Sequence, residues 1–183
     1  MSKWCGAGGW RLGHFIIPNE LKKLRNSMKV LASETFTSVS APIQHAAVAA
    51  YEKDMSKYVN SSRNILKNVG EYVYNNLQSN KVLISKPQGG FYLMPEFLDK
   101  KYKSSEEMCT DLLNNTGVAL LPGSDFGFSK NKMIARLSFT DFNGKEFMEN
   151  FQSDKNIKVE DIEKFAPKII EGTKRLKVWA ESS

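Results

Sequence analysis

The hydrophobic period of this chain changes near Asn80, and the change limits the folds open to it. Upstream, Ile65, Leu66, Val69, Val73 and Leu77 recur at three- and four-residue intervals, which places them on one stripe of a long helix. Downstream, residues 81–86 alternate, Pro87-Gln88-Gly89-Gly90 makes a turn, and residues 91–94 return as a second extended run. Helices and short strands therefore share one chain, and the expected class is α/β or α+β.

The remaining segments fit this alternation. Residues 10–17 read as a strand with Arg11, Gly13, Phe15 and Ile17 on one face, ended by Pro18. Asn19 then reads as the cap of a helix carrying Leu21, Leu24, Met28 and Leu31, interrupted by the Ser/Thr-rich residues 33–40, and Ser40 with Pro42 restarts helix. Ser104 and Glu107 form a capping box before Met108, Leu112 and Leu113, and Gly117 stops that helix. Residues 118–121 and 133–139 read as strands, the second closed by Asn143-Gly144. Two helices divided at Pro167 finish the chain.

Composition removes several classes of function. Of 183 residues, 41% are hydrophobic and 25% charged, which suffices for a packed core. The net charge of +6 is scattered over residues such as Lys22, Lys23, Lys100, Lys101, Lys174, Arg175 and Lys177, so no basic stripe exists and nucleic acid is not an expected partner. Cys5 and Cys109 form no CxxC, and His14 and His45 lack ligand spacing, so neither a disulfide framework nor a metal site is expected. No apolar run has the length of a membrane span and no secretory core precedes the first turn; a cytoplasmic location without membrane association is the expectation.

The chemistry-bearing segment is the first. Lys3 follows the hydroxyl residue Ser2, and Arg11 stands eight positions later across the flexible Gly6-Ala7-Gly8-Gly9. A lysine amine that is desolvated or near positive charge loses its proton readily and condenses with an aldehyde. A planar guanidinium and a hydroxyl suit a phosphate. Aldehyde and phosphate together describe pyridoxal phosphate. For Lys3 alone, one of many surface lysines on a frayed end is the simpler reading; its company changes that.

The stretches "SKWCGAGGWRLG", "TFTSVSAPIQHAAVAAYE", "PQGGFYLMPEF", "GVALLPGSDFG" and "ARLSFTDFNG" resemble, in order, the blocks of class I aminotransferases, the aspartate-aminotransferase-like group of fold-type I pyridoxal-phosphate enzymes. The resemblance implies that Lys3 is the Schiff-base lysine and proton shuttle, that Ser2 and Arg11 hold the cofactor phosphate, and that Arg136 clamps the substrate α-carboxylate. A bidentate guanidinium fixes a carboxylate's plane, which suits that role. Without the motif, Arg136 reads as a surface arginine alternating with Ile134 and Ser138. Gly90 and Phe91 are placed on the substrate side of the cleft, with core packing the main task of Phe91.

The resemblance also implies a C-terminal portion of a longer enzyme. Residues 1–53 correspond to the tail of the large cofactor-binding domain, and residues 54–183 to a linking helix and the small domain. The acid at the pyridine nitrogen and the ring-stacking aromatic belong to earlier segments in that family. An isolated chain of this kind is expected to have little or no aminotransferase activity. The expected substrates are an amino acid and a 2-oxo acid, and the expected assembly is a homodimer. Two alternatives stay open: a non-catalytic, self-associating module that reuses the small-domain fold, and a fold-type I pyridoxal-phosphate lyase.

Overall fold

The computed structural model describes residues 1–100, 102–151 and 155–182; Lys101, counted above among the surface lysines, lies outside them. The chain divides into two units, Met1–Val59 and Asn60–Ser183.

The first unit is built from short helices. A 3-10 turn, Gly8–Trp10, is followed by irregular chain, a second 3-10 turn, Asn19–Leu21, and the helices α1 (Lys22–Thr35) and α2 (Ala41–Glu52). The expected strand over residues 10–17 does not form. Arg11 takes a left-handed φ of 50° and folds its own N–H back onto the Gly8 carbonyl, which breaks the extended run at its start. Strands also need a ladder neighbour, and no strand among the described residues pairs with this segment; Phe15 and Ile16 stay 68% and 86% exposed. Asn19 does not cap α1 either, because the 3-10 turn absorbs it and leaves Leu21 at the cap position without a side-chain bond. Ser40 and Pro42 do stand at the start of α2. Trp4 and His14 pack on Tyr51 near the end of α2, with ring centroids 5.2 and 5.3 Å apart, and the Tyr51 hydroxyl lies 3.2 Å from His14 Nδ1.

The second unit holds the core. Helix α3 (Ser56–Leu77) buries the expected stripe of Ile65, Val69, Val73 and Leu77. Strand β1 (Val82–Leu83) pairs antiparallel with β3 (Glu96–Phe97), and β2 (Tyr92–Leu93) pairs antiparallel with β5 (Ala135–Ser138), which also pairs with β4 (Leu121–Pro122) in the order β2-β5-β4. A bridge between Glu96 and Ile134 joins the two small sheets. The extended runs on either side of the Pro87–Gly90 turn are therefore not partners: alternation assigns faces to a strand, while the partner is chosen by long-range packing.

Helices α4 (Ser105–Thr116), α5 (Gly144–Asn150), α6 (Val159–Phe165) and α7 (Pro167–Glu181) complete the unit. Ser104 Oγ accepts the Glu107 N–H at 3.3 Å, and the Glu107 carboxylate reaches back to the Lys103 N–H at 2.8 Å, one residue before the cap itself. Gly117 ends α4 with a φ of 72°, the left-handed position glycine occupies without a Cβ penalty. Asn143-Gly144, expected to close a strand, instead starts α5, where Asn143 Oδ1 accepts the Glu146 N–H at 3.3 Å. Phe97, Phe139, Phe147, Met108, Leu112 and Leu176 are fully buried, and Phe147 meets Phe151 and Phe165 at centroid distances of 5.5 and 5.3 Å.

Candidate functional site

Ser2, Lys3 and Arg11 belong to the first unit and Arg136 to the second. Ser2 is half-buried and Lys3 exposed, both in a turn that the Cys5 thiol tightens by donating to the Met1 carbonyl at 3.1 Å. Arg11 gives one guanidinium N–H to the Gly8 carbonyl at 3.1 Å, which leaves most of its five donors for another acceptor. Among the described residues Arg11 makes no hydrogen bond to Ser2. It shares a cleft of about 390 Å³ with Trp10, Phe36, Ser38, Val39 and Ser40, so hydroxyls stand beside the guanidinium. An amine, hydroxyls and a guanidinium within one unit are the donor set that an aldehyde carrying a phosphate requires, and in chemical type these residues fit pyridoxal phosphate.

Arg136 lies on β5, opposite Leu121 of β4. Alternation buries Ala135 and Leu137 in the core and sends Arg136 and Ser138 to the other face. Ser138 is opposite Tyr92 of β2, so Tyr92 and Arg136 are diagonal neighbours on that face. The guanidinium carbon lies 4.5 Å from the Tyr92 ring centroid and 4.3 Å from that of Phe126. Among the described residues no carboxylate comes within ion-pair distance of it. Gly90 is exposed with a φ of 69°, and Phe91 packs against the core with its ring 4.5 Å from that of Tyr92.

Phe126 stands in a short 3-10 turn, Gly123–Phe126, whose position is set by its neighbours. The Gly123 N–H donates to the Ile134 carbonyl at 2.8 Å, and a Cβ on Gly123 would sit 2.8 Å from that same oxygen, so only glycine allows this approach. Ser124 Oγ donates to Glu106 Oε1 at 2.6 Å. That bond, followed by one from Ser104, holds the Glu106 carboxyl down at about 2. Further along α4, the Tyr102 hydroxyl and the Trp179 indole both donate to Asp111 Oδ2, at 2.6 and 3.2 Å. Burial first and the Asp111 bond second push the Tyr102 phenol up to about 12. This trio ties α4 to α7 and stands apart from Arg136.

The sequence pointed to Arg136 but not to its aromatic company. Tyr92 lies within "GGFYLMP" and Phe126 within "LPGSDFG", both quoted above, but nothing in spacing shows that β2 and the turn after β4 converge on β5. No group of His, Cys, Asp and Glu among the described residues has the arrangement to hold a metal ion, and no helix among them is long and apolar enough to cross a membrane.

Comparison with known proteins places these features in a family. The model of the family "Aminotransferase class I and II" matches residues 1–150. An aspartate aminotransferase of Sulfolobus acidocaldarius is 31% identical over 145 residues, 75% of this chain and 34% of that protein. One of Geobacillus stearothermophilus is 32% identical over 144 residues, 76% of this chain and 35% of that protein. Among solved structures, an alanine aminotransferase from Pyrococcus furiosus superposes with a TM-score of 0.69 at 26% identity, over 100% of this chain and 41% of its own. An aspartate aminotransferase from Thermotoga maritima gives 0.67 at 25% identity, over 99% and 38%. The chain thus spans about a third of the length of the curated relatives it matches. With its mixed helices and small antiparallel sheets, it belongs to the class I and II aminotransferase family and has the fold of part of a fold-type I enzyme.

Proposed function

We propose that this chain carries part of the site of a pyridoxal-phosphate-dependent aminotransferase, with Lys3 as its catalytic base, Ser2 and Arg11 as phosphate ligands and Arg136 as the substrate-carboxylate clamp. The observation that carries the reading is the family match over residues 1–150, a span that includes all four residues. When bound, pyridoxal phosphate supplies an electrophilic aldehyde and a ring that accepts electron density from the substrate α-carbon. The residues do the rest. Arg11 and the Ser2 hydroxyl hold phosphate oxygens with charge-assisted and neutral hydrogen bonds. The Lys3 amine would take the proton from the substrate α-carbon and deliver it to the cofactor's aldehyde-derived carbon, C4′, two bonds away. Arg136 fixes the plane of the α-carboxylate and so orients the bond to be broken.

The substrates on this reading are an amino acid and a 2-oxo acid, and the parent enzyme works as a homodimer in the cytoplasm. Residues 1–53 form the tail of its large domain and residues 54–183 its linking helix and small domain. The isolated chain has little or no activity, because Lys3 is exposed here and catalysis needs the amine, ring and carboxylate clamp held together. The test is to add pyridoxal phosphate to the purified chain, reduce with borohydride and map the labelled lysine by peptide mass spectrometry. Selective labelling of Lys3, weakened in Arg11→Ala, is expected. Labelling spread evenly over surface lysines overturns cofactor binding by Lys3 and Arg11 in the isolated chain and confines their roles to the parent enzyme, and robust turnover lost in Lys3→Ala overturns the inactivity of the isolated chain.

A further inference from the structure

We infer that Tyr92 and Phe126 are positioning residues for Arg136, holding its guanidinium by their ring faces so that its charge and its in-plane donors remain available to a carboxylate. The inference rests on the reading of Arg136 as the carboxylate clamp and adds what prepares it. An arginine on the open face of a strand is normally restrained by an acidic partner, which also consumes its donors and neutralises its charge. Arg136 has no such partner among the described residues. Its guanidinium carbon instead lies over two rings, at 4.5 and 4.3 Å from their centroids. A ring attracts the cation through its quadrupole but, unlike a carboxylate, neither neutralises its charge nor offers it an oxygen acceptor. The planar fork stays open.

Phe126 is also placed where core packing does not account for it. The residue is 40% exposed, and it belongs to a turn fixed by the Gly123 to Ile134 bond at 2.8 Å and by Ser124 on the Glu106 carboxylate at 2.6 Å. Those bonds set Phe126 beside β5. Tyr92 reaches the same guanidinium from the other neighbour strand, diagonal to Arg136 across the Tyr92↔Ser138 pair. Two separate elements thus deliver one ring each to one cation. Restricting the side chain in advance reduces the rotamer freedom that a bound carboxylate would otherwise have to remove.

The experiment follows the arginine Nε–Hε resonance that disappears in Arg136→Lys, in the whole 183-residue chain, through an acetate titration at ionic strength held constant with sodium chloride. In the wild-type chain that proton is expected upfield of the other arginines from ring currents and is expected to shift saturably with acetate. Phe126→Leu and Tyr92→Leu should each move it downfield and weaken acetate about two- to fivefold, as the rotamer freedom returned to one long side chain implies. Phe126→Tyr and Tyr92→Phe should restore both position and affinity. Wild-type acetate affinity in both leucine variants, or an unshifted Hε in the wild-type chain, overturns the positioning role while leaving the clamp in place. Failure of acetate to move this resonance even in the wild-type chain overturns the clamp itself, and the positioning role with it.

Discussion

Glu106 illustrates how one carboxylate can order a turn. It stands in the first turn of α4, where a negative charge is favoured by the helix N-terminus, and receives the Ser124 hydroxyl on Oε1. Its Oε2 is shielded from solvent and has no hydrogen-bond partner among the described residues, so the carboxylate depends on the Ser124 bond at Oε1. Hydrogen bonding lowers the folded-state value from 4.5 to about 2, Ser124 being the largest cause and Ser104 the next. A depressed carboxyl contributes stability that is complete above its unfolded value and is lost as pH falls through its folded one. The window here runs from about 4.5 down to about 2. Ser124→Ala is therefore expected to raise the Glu106 titration, followed by its side-chain carbonyl carbon shift, and to move the onset of acid unfolding to higher pH. An unchanged Glu106 titration in that variant would mean that the Ser124 bond is not made in solution.

At the scale of elements, what the sequence revealed and what it hid follow one rule. Patterns decided within a single element were legible: the buried stripe of α3, the Ser104 cap, the Gly117 stop and the division at Pro167. Features that depend on a distant partner were not. Residues 10–17 alternate well enough for a strand, yet a strand exists only with a neighbour, and Arg11 turns away instead. The partners of β1 and β2, and the meeting of Tyr92, Phe126 and Arg136, were hidden for the same reason: the motif singled out Arg136, but register decides what touches it. Asn143-Gly144 was ambiguous locally, since this dipeptide serves both hairpins and caps. Its cap role predicts that Asn143→Ala costs about 1 kcal/mol in denaturant unfolding and that Asn143→Asp costs much less. Equal losses in the two variants would indicate that Asn143 acts by something other than accepting the Glu146 N–H.

Over the whole chain, burial is divided very unevenly. Ala47 is the buried hydrophobic residue of the first unit among the described residues, while the cluster of Phe97, Phe139, Phe147 and the α3 and α7 stripes belongs to the second. In the first unit Leu24, Val30, Leu31 and Phe36 of α1 and its C-terminal cap remain exposed. A helix of 14 residues without a covered face is marginal in water, because propensity alone does not offset nucleation. Local opening free energies range from near zero up to the global value according to such burial, so the two units should differ sharply in protection. Hydrogen exchange followed by mass spectrometry should show α1 and α2 exchanging far faster than α3 and α4. Brief proteolysis should likewise leave a resistant product that starts near residue 60. Protection of α1 equal to that of α4 would contradict this, and its concentration dependence would give the reason. If it fades on dilution, a second copy covers the α1 face, as the self-associating alternative requires; if it persists, the first unit draws stability from contacts other than its own buried side chains.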